Sequence, residues 1–125
     1  MTENELSKIV IGEAIKVHQA LGPGLLESVY EACLSYRLIQ LNLFIEKQVP
    51  IPVVYEQVKL DCGFRADIIV EKKLVIELKS VEGLNDVHMA QTLTHLKLTG
   101  LKLAVLINFN VIKLKDGIRR IANHL

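Results

Sequence analysis

The sequence predicts an α+β domain (broadly α/β) in which helices flank a mixed β-sheet. In the first third of the chain, apolar residues recur every three or four positions, which is typical of amphipathic helices. The middle switches to short strand-like runs, and a further helical pattern separates these runs from a last apolar run. Half of the 125 residues are apolar and Trp is absent, so the core must consist mainly of Leu, Ile and Val. This length fits one domain, residues 1–125.

A pair of helices is expected before the sheet. Apolar residues at helical spacing predict the first helix over residues 6–21, and Gly22-Pro23-Gly24 ends it. A second helical pattern runs from about residue 26 to residue 41. The first third is therefore expected to be a helix, a turn and a helix.

The strands are expected to follow this helical pair. Residues 49–55 have the composition of a strand, and their two prolines place it at a sheet edge or make its start irregular. Residues 58–62 can continue the sheet. Residues 64–70 and 74–78 form two strand-like runs joined by three polar residues, and so short a connection predicts an antiparallel hairpin.

A third helix is expected from about residue 87 to residue 99, because Asn85-Asp86 can cap its start and Gly100 can end it. The expected elements after it are a strand over residues 103–109, a short strand over residues 111–114 and a terminal helix over residues 117–125. A mixed sheet with helices packed on it accommodates this order of elements.

The charge balance restricts the class of function. The 15 basic and 14 acidic residues give a net charge of +1, which argues against tight, non-specific binding of nucleic acid. A few Lys and Arg side chains on one face can still suffice for contact with phosphates. The second half of the chain, where basic residues are scattered, is where such a surface would have to lie.

Cysteine usage and the first residues indicate a cytoplasmic protein. Cys33 and Cys62 have neither the spacing of a zinc site nor that of a disulfide framework, so both are expected to be reduced and largely buried. The polar, acidic residues 1–5 resemble neither a signal peptide nor a transit peptide. No apolar run reaches the ~18 residues that a membrane helix needs. Because so small a domain has so high an apolar content, we expect part of its surface to be buried in an interface, which suggests a homodimer.

The expected hairpin places polar residues on one of its faces. If Lys72 is the centre of the turn, Asp67 lies directly opposite Glu77. Side chains alternate along a strand, so Asp67, Glu77 and Lys79 share one face and the opposite face is entirely apolar. A shift of one residue in the register would lose the facing pair.

Two facing carboxylates predict a site for a cation. They repel each other by up to about 1 kcal/mol, and a cation between them removes the repulsion. Mg²⁺ and Mn²⁺ prefer oxygen ligands, so Asp67, Glu77 and a backbone carbonyl such as that of Leu78 can form half of a site that a phosphate oxygen completes. Lys79 can orient or help deprotonate the attacking water, or neutralise charge on the phosphorane. The alternative is a solvated sheet face on which Lys79 pairs with Glu77 or Asp67.

Several segments resemble a known family. Asp67 followed by Glu77-Leu78-Lys79 resembles the signature of the PD-(D/E)xK nuclease superfamily, although Ala66 stands where that signature has proline. Residues 21–30 resemble the naming motif of a small prokaryotic branch, the GxxExxY proteins, with Gly24, Glu27 and Tyr30 at the fixed positions. Residues 63–67, 77–80 and 106–109, together with Gln91, are similar to the other blocks of that branch. The similar blocks follow the family's order and cover nearly the whole chain.

This resemblance implies a restriction-endonuclease-like αβββαβ core with the active site on the central hairpin. It also implies that Glu27 is an additional acid at the metal site and that Gln91 contacts the site or the substrate. His95 stands one helical turn after Gln91, where relatives more often carry Tyr. His95 can stack on a base, relay a proton or simply pack.

Three candidates have alternative interpretations. Arg65 shares the face of Asp67, where it can grip a phosphate or pair with a carboxylate. Tyr30 lies one turn after Glu27, and it fits a core residue with a hydrogen-bonded hydroxyl better than it fits a catalyst. Glu27 by itself also fits an acid that the helix dipole favours at a helix N-terminus.

These observations predict a nuclease, dependent on Mg²⁺ or Mn²⁺, that hydrolyses the phosphodiester bonds of nucleic acid, with DNA as the expected substrate. Asp67, Glu77 and Glu27 hold the ion, Lys79 positions the water and Gln91 supports the site. The residues expected to bind substrate are Arg65, His95 and Tyr30. The alternative is a catalytically silent module that binds nucleic acid or serves as a subunit of a complex, and a structural or regulatory protein is the third possibility. The intact set of Asp67, Glu77 and Lys79 favours the enzyme.

Overall fold

The computed structural model describes residues 1–125 as three α-helices, a five-stranded sheet and a separate β-hairpin. The helices are α1 (Glu3–Leu21), α2 (Glu27–Gln40) and α3 (Asp86–Thr99). The strands are β1 (Ile45–Pro50), β2 (Val53–Tyr55), β3 (Val58–Leu60), β4 (Arg65–Val70), β5 (Leu74–Lys79), β6 (Leu103–Asn108) and β7 (Ile118–Ala122). A short 3-10 helix spans Leu114–Gly117. The expected α+β class, with a mixed sheet and flanking helices, is confirmed.

The sheet has the strand order β1-β4-β5-β6-β7, and β5 lies at its centre. Strands β5 and β6 are parallel, and the other neighbours are antiparallel. Because parallel strands need a crossover connection, α3 carries the chain from β5 to β6. The expected register of the β4–β5 hairpin is confirmed over residues 68–70, since Ile68 pairs with Ile76 and Val70 pairs with Leu74. The pairing ends there, so the expected facing pair of Asp67 and Glu77 is not formed as a ladder pair.

Helices cover both faces of the sheet and create two cores. Helices α1 and α2 pack on one face, where Tyr30, Leu34 and Ile76 are fully buried. Helix α3 packs on the other face, where Leu96 meets Val75 in a smaller core. The second face is the one expected to carry the polar residues of the hairpin. It is therefore covered over part of its length by α3.

Several predicted elements differ from the structure. The strand predicted over residues 49–55 is split, because β1 ends at Pro50 and β2 begins at Val53. Residues 58–60 pair with β2 outside the main sheet. No strand covers residues 111–114, and residues 118–122 form an edge strand instead of a helix. Ile118 and Ile121 are three apart, as in a helix, but pairing with β6 overrides this local pattern.

No helix of the chain is both long enough and apolar enough to cross a membrane. Neither cysteine is in a disulfide. Cys33 is half-buried and Cys62 is exposed, so the expectation of two largely buried thiols is wrong for Cys62. Cys62 is exposed because it lies in the irregular segment between β3 and β4, outside both cores.

Candidate active site

Asp67 lies at an interruption of the sheet. The pairs between β1 and β4 omit Gln48 and Asp67, and the pairing of β4 with β5 stops at Ile68. Gln48 has a φ of 51°, in the left-handed region that few residues other than glycine adopt. The strand changes face at this point, since Ile68 belongs to the larger core and Ala66 to the smaller one. The interruption lets the carboxylate of Asp67 reach groups on both β1 and β5.

The carboxylate of Asp67 has two hydrogen-bond donors. The backbone N–H of Leu78 donates to Oδ2 at 2.7 Å, and the Nε2 of Gln48 donates to Oδ1 at 3.3 Å. The same Nε2 donates to Oε1 of Glu31 on α2 at 2.5 Å. Because the β4–β5 pairing has stopped here, the N–H of Leu78 binds the side chain of Asp67 in place of a backbone carbonyl of β4. Its side chain is held in place at the junction of β1, β4 and β5.

Glu77 is a buried carboxylate in the same region. It is 6% exposed, and its Oε1 lies 3.1 Å from Nδ1 of His95 on α3. Burial raises the pKa of the Glu77 carboxyl above its ordinary value of 4.5, the hydrogen bond from His95 opposes this rise, and the negative charge of Asp67 adds to it. The alternative of a solvated sheet face is therefore wrong for Glu77.

Lys79 is the last residue of β5, two positions after Glu77 on the same strand. Its side chain is half-buried, and none of the ion pairs in the structure includes it. The alternative in which Lys79 pairs with Glu77 or Asp67 is not observed. Its positive charge still acts on Glu77 at longer range, where it opposes the burial-driven rise in the pKa of that carboxyl.

Glu27 is the first residue of α2 and docks this helix against the end of β5. Its Oε1 accepts a hydrogen bond from the backbone N–H of Ser80 at 3.3 Å. The hydroxyl of Ser80 donates to the carbonyl of Leu25 at 2.7 Å. Glu27 is thus brought beside the residue that follows Lys79, while its side chain stays exposed.

Tyr30 is a fully buried residue that supports the turn before α2. Its ring stacks on Phe109, with centroids 4.2 Å apart and ring planes 10° from parallel. Its hydroxyl donates to the carbonyl of Gly22 at 2.6 Å and accepts from the N–H of Leu25 at 3.1 Å. This geometry favours the core interpretation of Tyr30 and offers no surface to a substrate.

We predict that Tyr30→Phe lowers the free energy of unfolding by about 1 kcal/mol. The ring stack on Phe109 is kept, but the N–H of Leu25 and the carbonyl of Gly22 lose a partly buried partner. Urea denaturation measures the change, with Tyr36→Phe as the matched control because Tyr36 is 64% exposed. Equal stability of the two variants would contradict the supporting role of the hydroxyl.

The remaining candidates occupy three different environments. Arg65 is exposed at the start of β4, with Nη1 3.9 Å from Asp61 Oδ1. Gln91 is exposed on α3 and makes no side-chain hydrogen bond. His95 contacts Glu77, its Nε2 is buried without a partner, and its ring centroid lies 5.2 Å from that of Phe64. The structure therefore brings His95 into contact with Glu77 and Glu27 into contact with the residue after β5, whereas Gln91 makes no hydrogen bond to the hairpin.

The acidic residues here have the chemistry of a hard-cation site, although they do not converge as a cage. Asp67 lies close enough to raise the pKa of Glu77, and a divalent cation beside both would relieve that repulsion. No group of three or more His, Cys, Asp or Glu side chains is arranged to hold a metal ion. The residues fit an ion that keeps several waters and takes only a few protein oxygens, as Mg²⁺ commonly does.

The raised pKa of Glu77 has a consequence for stability. Folded Glu77 holds its proton more tightly than the unfolded chain does, so rising pH from about 4.5 through the folded pKa favours unfolding. Without divalent cations, we predict that Glu77→Gln is more stable than the parent at neutral pH and that the difference shrinks towards pH 4.5. Urea denaturation in chelator measures it, and a difference that stays constant with pH would contradict it.

Three residues of this region were not predicted from the sequence. Asn108, 1% exposed, accepts from the N–H of Val81 at 3.1 Å and donates to its carbonyl at 3.0 Å, which clamps the chain leaving β5. Gln48 on β1 donates to Asp67, and Glu31 on α2 accepts from the same Gln48 amide. For Glu31 the signal was its position one helical turn after Glu27, and for Asn108 it was a polar residue ending an apolar strand. Gln48 carries no comparable signal.

Residues 4–121 match a family model described as the PD-(D/E)XK nuclease superfamily. No curated protein and no solved structure matches the chain. The matched range contains every element of the site, from Glu27 on α2 to Asn108 at the end of β6.

Proposed function

From the premise that this chain belongs to the PD-(D/E)XK nuclease superfamily, we propose that it is a divalent-metal-dependent nuclease acting on DNA. Nucleases of this superfamily generally depend on a divalent metal. One observation carries the proposal. Glu77 is a buried carboxylate that directly precedes Leu78, whose N–H binds Asp67, and it lies two residues before Lys79, an amine that forms no salt bridge.

Asp67 and Glu77 are the residues proposed to hold Mg²⁺ or Mn²⁺, with Glu27 assisting from the start of α2. The bound ion would supply an acidified water and neutralise charge on the phosphate. The chain prepares both carboxylates in advance. The N–H of Leu78 fixes Asp67, and the imidazole of His95 fixes Glu77. Such preorganisation avoids a cost of rearrangement when substrate binds.

Lys79 is proposed to position the attacking water and to stabilise the charge that develops on the phosphate in the transition state. It forms no salt bridge, so its ammonium group is not tied to an acid of the chain. Arg65 is proposed to grip a neighbouring phosphate, since its guanidinium is exposed and lies only loosely, at 3.9 Å, from Asp61. Gln91 is proposed to contact substrate from the exposed side of α3.

Within the superfamily we place the chain in the GxxExxY branch, on Gly24, Glu27 and Tyr30. All three residues act on the turn that precedes α2, and this supports the assignment to the branch. Gly24 has a φ of 92°, which suits glycine, and Tyr30 ties the turn around it. Glu27 then docks that turn on Ser80. The motif thereby holds the start of α2 against the catalytic strand.

A catalytically silent module that binds nucleic acid or serves in a complex is the second candidate function. The observation that favours it is that Asp67, Glu77 and Glu27 each already have a hydrogen-bond partner within the chain and do not converge. In that case the three acids would act as structural side chains that join strands and helices.

The test is cleavage of supercoiled plasmid, single-stranded DNA, branched DNA and RNA with Mg²⁺, with Mn²⁺ and with chelator. Asp67→Asn is the informative variant, because its amide oxygen still accepts from Leu78 while the charge is lost. Asp116→Asn, exposed on the 3-10 helix, is the matched control. The proposal requires metal-dependent cleavage that Asp67→Asn abolishes and Asp116→Asn retains. Cleavage that survives in Asp67→Asn, or no cleavage together with no Mn²⁺ binding, would reject it in favour of the silent module.

A further inference from the structure

Phe64 is an exposed aromatic side chain beside the proposed catalytic residues. It is 38% exposed, and its ring lies 5.2 Å from that of His95, the residue bonded to Glu77. The other exposed aromatic rings are those of Tyr36, Phe44 and Tyr55, and none of them stacks on a residue of the site. The two rings are tilted by 46° to each other, and the exposed part of the Phe64 ring is available to a ligand.

The charge of the chain restricts how it can bind nucleic acid. Binding of duplex DNA draws much of its affinity from many Lys and Arg contacts with phosphates, and a net charge of +1 supplies little of it. Stacking of bases on aromatic rings provides affinity without basic residues. Stacking requires a base that is not already stacked within a duplex, so it selects unpaired strands.

Resting on the proposed function, we propose that Phe64 is a stacking platform for an unpaired nucleobase and that the substrate is DNA with a single-stranded segment at the site. Arg65 follows Phe64 directly, and its exposed guanidinium can contact the phosphate attached to that base. The next residues of β4 lead to Asp67. A base on Phe64, its phosphate on Arg65 and the carboxylate of Asp67 would therefore be served by four consecutive residues, Phe64 to Asp67.

Binding is measured in a Lys79→Ala background with Mn²⁺, using a single-stranded oligonucleotide that contains 2-aminopurine and its fully paired duplex. Phe64→Ala is expected to weaken single-strand binding by about 5- to 150-fold and to abolish the quenching of 2-aminopurine fluorescence. Binding of the duplex is expected to change little. Phe64→Leu keeps an apolar side chain beside His95 but removes the aromatic ring, so it is expected to weaken binding similarly, whereas Phe64→Tyr is expected to retain binding.

Phe44 provides the matched control, because it is 52% exposed and lies at the opposite end of the sheet, where its carbonyl meets Glu71. Phe44→Ala is expected to bind both probes as the parent does. Equal losses in Phe44→Ala and Phe64→Ala, or undiminished single-strand binding by both Phe64→Ala and Phe64→Leu, would overturn the platform. If DNA is still cut with metal in the otherwise unaltered chain, only this inference fails. If no DNA is bound or cut, the proposed function fails with it.

Discussion

Replacing Lys79 with alanine is expected to lower the rate of phosphodiester hydrolysis by about 10²- to 10³-fold, the usual loss when one charge-stabilising group is removed from an active site. The fold is expected to persist, because Lys79 takes part in no ion pair and the register of β5 is fixed by β6. Single-turnover cleavage at saturating Mn²⁺ measures the loss. Saturation matters because it separates the chemical step from metal binding.

The control for this prediction is Lys102→Ala, since Lys102 is exposed just before β6, at the end of the sheet away from Lys79. Calorimetric titration with Mn²⁺ is expected to give the same or slightly tighter binding in Lys79→Ala, because a positive charge near the ion has been removed. Equal rates in Lys79→Ala and Lys102→Ala would exclude the amine from the reaction. Loss of Mn²⁺ binding in Lys79→Ala would instead indicate a structural role.

Replacing Gly117 with alanine is expected to lower the free energy of unfolding by about 3 kcal/mol or more, at the upper end of overpacking costs. The site is buried, and an added Cβ would overlap the backbone carbonyl of Asn108 and crowd the Val111 side chain at 3.2 Å. A main-chain obstacle cannot rotate away as a side chain can. Urea denaturation measures the loss.

Gly83→Ala is the matched control, because nothing lies within 4 Å of its added Cβ and its φ is not positive. It is expected to leave stability nearly unchanged. If β5 carries the catalytic residues as proposed, folded Gly117→Ala is also expected to be less active, because moving Asn108 disturbs the clamp on Val81 just after β5. A variant as stable as the Gly83→Ala control would show that the chain near Gly117 relaxes easily.

Much of the fold follows from local patterns in the sequence. The β4–β5 hairpin could be predicted with its register, because its apolar face and short turn admit few alternatives. The edge strands β1 and β7 were predicted incompletely or wrongly. An edge strand is half-exposed, so its apolar pattern is weak, and pairing with a distant neighbour decides its conformation.

The candidate site could be predicted only in part. The shared strand of Glu77 and Lys79 follows from alternation, but the burial of Glu77 depends on α3 packing over that face. Its contact with His95 joins residues 18 positions apart in the chain. The break at Asp67 depends on the positive φ of Gln48, which no local rule assigns to glutamine. The contacts that give the site its electrostatics are thus long-range ones.

Strand β5 is paired over its whole length on one side only, and this has a consequence for which parts of the chain can vary in sequence and length. On its β6 side the strand is paired up to Lys79 and Asn108, whereas on its β4 side pairing ends before Asp67. The positions of Glu77 and Lys79 are therefore set by pairing with β6, and they do not depend on the segment from residue 52 to residue 63, which links β1 to β4. Insertions, deletions or exchanges within this segment can reshape the surface beside Asp67 while strand β5 keeps the same register. Natural variation in length is expected to accumulate there, and grafted loops are best tried there first.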